Sequence, residues 1–167
     1  MPGPSASGTI VPGGPMAPGS PASPGACPSR SLSVTTAGTQ GTAGSTYTNI
    51  VFTNKATTRC TLYGYPGVSF TTKKSGVEVQ IGAAAARSGQ TAPRLVTLKP
   101  GAAGHAVLQI VDAYNYPAAD CGLVTADYLQ IYPPGQTTPI YYHLSSPACS
   151  KPVRILVVGV VQPGTGS

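Results

Sequence analysis

Charged side chains are scarce in this sequence. They make up 8% of its 167 residues, against about a quarter in ordinary globular proteins. The ten cations are scattered, and Lys73-Lys74 is their one adjacent pair, whereas nucleic-acid binding usually needs a basic stripe. We therefore expect no nucleic-acid partner, in spite of a net charge of +6.

Acids and histidines are scarcer still, which limits the available chemistry. Glycosidases need two carboxylates facing one cleft, and no serine lies in a G-x-S-x-G turn. There is no phosphate loop and no dinucleotide fingerprint. A metal site could form only if the strands of the two histidines paired beside an aspartate. We expect a protein that is not an enzyme and has no metal or cofactor, with a hydrolase as the minor alternative. The titratable inventory is Glu78, Asp112, Asp120, Asp127, His105 and His143.

Long apolar runs are also missing. No stretch of about 20 apolar residues exists, so we expect no membrane span. The longest candidate, Val153–Val161, is too short and contains Arg154 and Gly159. No signal peptide follows Met1, so for an exported protein we expect this to be a mature or trimmed form.

Small residues dominate the start of the chain. Residues 1–26 are almost all Pro, Gly, Ser, Ala and Thr, too poor in apolar side chains to offset the entropy of ordering. We interpret 1–26 as a disordered tail or linker, 27–162 as one folded domain, and 163–167 as a flexible C-terminus. We expect a monomer.

Short runs with alternating polarity, separated by turn residues, recur along the domain. Eight or nine such runs without a long helix predict an all-β, antiparallel β-sandwich. The best helix candidate, Gly82–Arg87, is one turn at most. The apolar run at the C-terminal side predicts a central strand covered on both faces, and Pro100-Gly101 predicts a type II turn. The predicted strands are Arg30–Thr36, Thr46–Thr53, Val68–Thr71, Val77–Ile81, Arg94–Leu98, His105–Val111, Tyr128–Tyr132, Ile140–Leu144 and Val153–Val161.

The four cysteines are Cys27, Cys60, Cys121 and Cys149. None forms a CxxC pair, and their spacing to histidine fits no structural zinc site. An even number in a low-charge β-domain indicates two disulfides in an oxidising compartment. Three pairings are possible. We favour 27–60 with 121–149, because each cysteine lies just outside a predicted strand; four reduced, buried thiols are the alternative.

Tyrosine is the abundant aromatic residue: the chain has nine and no tryptophan. Tyr63, Tyr65, Tyr114 and Tyr116 lie in predicted loops, and Asn115 stands between the last two. Loop tyrosines suit protein or sugar surfaces because the ring is apolar and the hydroxyl is polar. The alternative is that the first two lock their loop onto the sandwich and only the 114–116 segment is exposed.

Several short motifs occur together along the chain. They are Thr53-Asn54, Cys60-Thr61-Leu62, Gly64-Tyr65-Pro66-Gly67-Val68, Val96-Thr97-Leu98-Lys99-Pro100-Gly101, Cys121, Leu129–Tyr132 with Pro133-Pro134, and Cys149. In this order they resemble the signature of actinobacterial exported proteins grouped as domain of unknown function 4232, over roughly Cys27 to Val161. The resemblance implies an immunoglobulin-like sandwich in a secreted protein or lipoprotein behind a low-complexity spacer, and it implies no activity. The chain departs from lipoproteins of this kind because no lipid-acceptor cysteine lies near its start.

Together these observations predict a non-catalytic, secreted or envelope-associated module. We expect it to bind an envelope protein or glycan of unknown identity through loop aromatics at one end of the sandwich. A structural spacer without a specific ligand is the alternative.

Overall fold

The computed structural model describes residues 25–74 and 76–166. Within them the chain is mostly β-strand, with one short helix, α1 (Ala118–Cys121), and two 3-10 turns at Ser29–Ser31 and Ala113–Asn115. The strands are β1 (Leu32–Thr42), β2 (Ser45–Asn54), β3 (Cys60–Tyr63), β4 (Gly67–Lys74), β5 (Val77–Ile81), β6 (Ala86–Arg87), β7 (Leu95–Leu98), β8 (Ala103–Val111), β9 (Leu123–Tyr132), β10 (Ile140–Cys149), β11 (Leu156–Val158) and β12 (Gln162–Pro163).

Six of these strands form the larger sheet, in the order β1-β2-β8-β11-β6, with β12 also pairing with β8. β2 and β8 are antiparallel, from Ser45 opposite Val111 to Thr53 opposite Ala103. Both strands alternate in polarity, so one face of the sheet is apolar and the other is polar. The pairing of β11 with β6 is parallel.

A second sheet has the order β10-β9-β4-β5, and β3 pairs with β7 in a separate ribbon. The two larger sheets bury their apolar faces in a single core. Phe52 and Leu108 come from the larger sheet, and Phe70 and Leu129 from the smaller one, all essentially inaccessible to solvent. The predicted all-β sandwich is therefore confirmed, while the immunoglobulin-like assignment stays a prediction.

All nine predicted strands are present, but the prediction was incomplete. It missed three short strands, β3, β6 and β12, because two to four residues are too few to show a period. The predicted central strand at Val153–Val161 is present only as β11, which lies between β8 and β6. It is shorter than predicted, and it is not covered on both faces because Val157 is only half-buried. The helical turn proposed at Gly82–Arg87 was also wrong, since this segment crosses from β5 to β6.

The predicted turn at Pro100-Gly101 is confirmed. Gly101 has φ +83°, and the Ala102 amide donates to the Lys99 carbonyl at 2.9 Å. Positive φ at the third residue is the requirement of a type II turn, which glycine meets without strain.

Both predicted disulfides are present: Cys27–Cys60 and Cys121–Cys149. They close loops with sequence separations of 33 and 28 residues, each worth about 3.5–4 kcal/mol in the chain-entropy model. The Cys27 amide also donates to the Thr61 carbonyl, which ties the start of the domain to β3. Residues 1–24 of the predicted disordered tail and Ser167 of the predicted flexible C-terminus lie outside the described residues.

Strand β8 defines two ends of the sandwich that are used below. Its start meets Asn54, whose amide donates to the Ala102 carbonyl; we call this the Asn54 end. Its last residue, Val111, leads directly into the 3-10 turn that contains Asn115; we call this the Asn115 end. Nine strand residues separate the two ends by about 27 Å.

Candidate functional site

Tyr63 and Tyr65 do not form one exposed loop. Tyr63 is the last residue of β3 rather than a loop residue; it pairs with Leu95 and is 40% exposed. Tyr65 is half-buried, and the guanidinium carbon of Arg87 lies 5.0 Å from the centre of its ring. Its hydroxyl accepts a hydrogen bond from the Gly89 amide at 3.2 Å. Tyr65 therefore holds the segment after β6 against the domain.

The 114–116 segment presents one tyrosine on a fixed turn. Asp112 accepts from the Tyr114 amide through Oδ1 at 3.0 Å, and Asn115 Nδ2 donates to the Gly44 carbonyl at 2.9 Å. The Tyr116 hydroxyl donates to the Arg154 carbonyl at 3.2 Å, and its ring packs against the core. Tyr114 is 68% exposed.

The two groups of predicted site residues lie at opposite ends of the sandwich. The Gly64 carbonyl, between Tyr63 and Tyr65, accepts from the Val161 amide, just before β12, which pairs with the start of β8. Tyr114 follows the other end of β8. A single ligand at one loop end therefore cannot use both groups.

A small apolar crevice lies at the Asn115 end. Its volume is about 80 Å³, and it adjoins the Cys121–Cys149 disulfide. Leu123, the first residue of β9, is 46% exposed at its edge. Such a crevice can hold one small apolar group, with tyrosine rings as its walls. The lining residues are Ala113, Tyr114, Tyr116, Ala118, Cys121 and Leu123.

Three of the four acids accept hydrogen bonds from neighbouring groups. Asp112 caps the 3-10 turn through Tyr114, and Asp127 accepts a hydrogen bond from the Thr72 hydroxyl. Glu78 accepts from Thr71 Oγ1 at 2.8 Å and also lies 3.9 Å from the Lys73 ammonium.

The histidines belong to different sheets. His105 is in β8 and its Nδ1 is 3.0 Å from the Gly164 carbonyl oxygen, whereas His143 is in β10. A metal site that joins them required their strands to pair, and these strands do not pair. Within 25–74 and 76–166, no group of three histidine, cysteine or acidic side chains is placed to hold a metal ion. Across the same residues, no helix has the length and apolar character needed to cross a bilayer.

Sequence reasoning missed a tyrosine cluster on the outer face of the smaller sheet. The Tyr128 ring meets the Tyr141 and His143 rings edge to face, with centroids 6.5 and 5.4 Å apart. Gln130 lies buried among them and donates from Nε2 to the Tyr141 hydroxyl at 2.8 Å. The signal was available, because these residues occupy alternate positions of β9 and β10. Since the rings pack on one another and cover Gln130, this cluster chiefly stabilises the sheet.

The same cluster affects the titration of a nearby phenol. Burial raises the pKa of Tyr132 above its ordinary value of 10.0, and the neighbouring Tyr141 phenol raises it further. Both effects disfavour the phenolate.

The chain matches a known protein family. The sequence profile of the family described as Domain of unknown function (DUF4232) matches residues 27–162, so the resemblance of the cysteine, GYPGV and Pro-Gly segments is confirmed. No curated protein and no solved structure matches the chain.

Proposed function

The chain belongs to the family described as Domain of unknown function (DUF4232), and from this premise we propose that it is a non-catalytic, exported envelope module that binds a protein partner through the Tyr114 crevice. The crevice is the pocket at the Asn115 end, between Tyr114, Tyr116 and Leu123. The observation that carries the proposal is the exposure of Tyr114 and Leu123 beside an apolar pocket on a fixed turn.

Export is supported by the two disulfides. Structural disulfides form and persist in oxidising compartments and are rare in the cytosol. The low charge and the Pro/Gly/Ser-rich start agree with a domain held at a distance from the cell by a spacer.

A non-catalytic role is supported by the positions of the titratable groups. Asp112 caps a turn, Glu78 lies between Thr71 and Lys73, and Asp127 accepts from Thr72. General acid–base catalysis requires such groups to converge on one reacting atom. In this chain these three acids instead accept local hydrogen bonds at separate places.

A protein partner fits the crevice better than a sugar does. The crevice walls are apolar, while α1 beside them carries Asp120 and receives a hydrogen bond from Lys151 to the Ala119 carbonyl. An apolar centre with a charged edge is the usual arrangement of a protein–protein hot spot, in which tyrosine is enriched. A small apolar side chain of the partner would enter the pocket against the Tyr114 ring.

The test is retention of envelope proteins on the immobilised full chain. A wild-type column should retain a partner that disappears when the envelope extract is first digested with protease. Tyr114→Ala and Leu123→Ser should retain at least about tenfold less, since a hot-spot loss of 1.4 kcal/mol is a factor of ten. Tyr63→Ala is the matched control at the other end and should retain as much as wild type.

Two results would overturn the proposal. One is equal retention by wild type and Tyr114→Ala when both have the same melting temperature. The other is retention by wild type no greater than that of resin without protein.

A further inference from the structure

A groove crosses the outer face of the six-stranded sheet, on a different surface from the Tyr114 crevice. Its volume is about 280 Å³, near the lower end of the range for small-molecule sites, about 300–1,000 Å³. Its floor contains Tyr47, Val107 and Gln109, and its edges include Ser88, Gln90 and Gln162. Tyr47 is 38% exposed and Val107 is 37% exposed.

The floor is positioned by the register of the two central strands. Tyr47 of β2 lies directly opposite Gln109 of β8, and Asn49 lies opposite Val107. All four residues point away from the core, because the side chains at 48, 50, 106 and 108 are buried between the sheets. The side-chain Nε2 of Gln109 donates to Ser45 Oγ at 3.0 Å, which restricts the orientation of the Gln109 side chain.

The wall along β6 is also held in place. The Ser88 amide donates to the Val158 carbonyl at 2.9 Å, and the Gly89 amide donates to the Tyr65 hydroxyl. Tyr65, predicted from the sequence as a ligand-binding residue, instead stabilises this wall through its bond to Gly89. These bonds fix the backbone of the two residues that precede Gln90.

The groove continues beyond its first compartment. A second depression of about 280 Å³ shares Tyr47 and Val107 with it and adds Gln40 and Asn49. Gly166 bounds this second depression; the nearby Gly164 carbonyl lies 3.0 Å from His105 Nδ1. The two compartments therefore adjoin at Tyr47 and Val107, and each has room for one unit of a chain-like ligand.

The chemistry of the lining selects the ligand class. No lysine, arginine, aspartate or glutamate lines either compartment, so neither an anionic nor a cationic polymer would find a counter-charge. Glutamine and asparagine amides each donate and accept, as do serine and threonine hydroxyls. Tyr47 adds an apolar ring with a polar tip. Amides, hydroxyls and one aromatic face match the hydroxyl groups and apolar ring face of a neutral sugar.

An extended peptide is the competing ligand, and the position of the groove disfavours it. Peptides that add to sheets bond to the free backbone groups of an edge strand. The floor here is the face of β2 and β8, which are interior strands with partners on both sides. We propose that this face binds a neutral oligosaccharide, with one sugar ring against Tyr47 and its hydroxyls bonded to Gln109 and Gln90.

The inference goes beyond the proposed function, because it concerns another face and another class of ligand. The probes are soluble neutral polysaccharides: glycogen, mannan, xylan and galactan. Alginate serves as the anionic comparison and a mixture of proline-rich peptides as the peptide comparison. Binding of the full chain is measured by affinity electrophoresis, and the contact surface by amide chemical-shift perturbation.

We expect at least one neutral polysaccharide to retard the protein and to shift the amides of Tyr47, Val107 and Gln109. Tyr47→Ala should weaken binding at least tenfold, whereas Tyr47→Phe, which keeps the ring, should stay within about threefold of wild type. Gln109→Leu should weaken binding about fivefold to tenfold, as expected for lost hydrogen bonds. Tyr63→Ala and Tyr114→Ala, which alter exposed tyrosines elsewhere, should leave binding unchanged.

Other results would overturn the assignment. These are no retardation by any of the four neutral polysaccharides, retardation that survives Tyr47→Ala, or binding of alginate or peptides alone with shifts at the same amides. For each variant, an amide spectrum with the dispersion of a folded protein excludes unfolding as the cause of a loss of polysaccharide binding. The two proposals also fail independently, because Tyr47→Ala should retain the protein partner and Tyr114→Ala should retain the sugar.

Discussion

Asn54 should be one of the most sensitive polar positions in the domain. It ends β2, it is completely buried, and it is the second residue of the Thr53-Asn54 motif. Its Nδ2 donates to the carbonyls of Thr58 and Leu98, both at 2.9 Å. Its Oδ1 accepts from the Ala56 amide at 2.9 Å. One side chain thus joins β2, the loop that follows it and β7.

The expected cost of Asn54→Ala follows from these three bonds. The bond to Leu98 is buried, so its loss leaves a buried carbonyl without a partner, at about 2 kcal/mol. The bonds to Thr58 and Ala56 are partly exposed and can be replaced by water, at about 0.5–1 kcal/mol each. The free energy of unfolding should fall by about 3–4 kcal/mol, a large part of the 5–15 kcal/mol typical of a domain.

Urea denaturation with both disulfides intact measures this loss. Gln40→Ala, which removes the amide side chain of an exposed residue in the neighbouring strand β1, is the matched control and should cost less than about 1 kcal/mol. A loss below 1 kcal/mol for Asn54→Ala would refute the reasoning, since the side chain would then not be joining the three segments.

Asn54→Asp separates hydrogen bonding from size. The second carboxylate oxygen would face the Leu98 and Thr58 carbonyls, which repels the charged form and raises the pKa of the introduced acid in the folded state. Its protonated form can still donate one hydrogen bond. Relative to wild type, the variant should therefore be most stable below about pH 4 and lose stability as the pH rises. If the free energy of unfolding of Asn54→Asp differed from that of wild type by the same amount from about pH 4 to pH 7, this account would be contradicted.

Two further predictions concern the Asn115 end and the smaller sheet. Gly82→Ala should lower the free energy of unfolding by more than about 2 kcal/mol, because its φ is +69° and an added Cβ would lie 2.4 Å from the Cys149 carbonyl oxygen. Gly41→Ala, with no atom within 4 Å of the added Cβ, should change it by less than about 0.5 kcal/mol; equal losses in urea denaturation would contradict the packing argument. The pKa of Tyr132 is raised by burial and by Tyr141, so folding favours the protonated phenol. Its contribution to stability is present below pH 10 and is lost as the pH rises through the folded-state pKa. Tyr132→Phe should therefore show a smaller loss of stability between about pH 9 and pH 11 than wild type, and identical slopes for the two proteins would exclude this effect.

Much of the fold could be predicted from the sequence because strand alternation is a local signal. β5 was located at its observed bounds, and both disulfide pairs were identified. The apolar run at Val153–Val161 misled because apolar content alone does not show where backbone pairing stops. Val161 is completely buried, yet its amide bonds to Gly64 across the domain rather than to a neighbouring strand.

The candidate sites were harder to predict than the strands. Tyr114 was identified from its loop, and the structure leaves it exposed. The Tyr65 ring packs against Arg87 and its hydroxyl bonds to Gly89. No local sequence pattern indicates these contacts. The groove depends on Tyr47 and Gln109 being opposite one another, and their 62-residue separation in the sequence hides that pairing until the strand order is known.

The two disulfides join cysteines in the order in which they occur along the chain: the first with the second, and the third with the fourth. A chain that enters an oxidising compartment from its N-terminus would expose Cys27 and Cys60 before Cys121 and Cys149. An oxidase that joins thiols as they emerge would then form the native pairs directly. Maturation of this domain would need a thiol oxidant, but it would not need the slower reshuffling by a disulfide isomerase that non-consecutive pairings require.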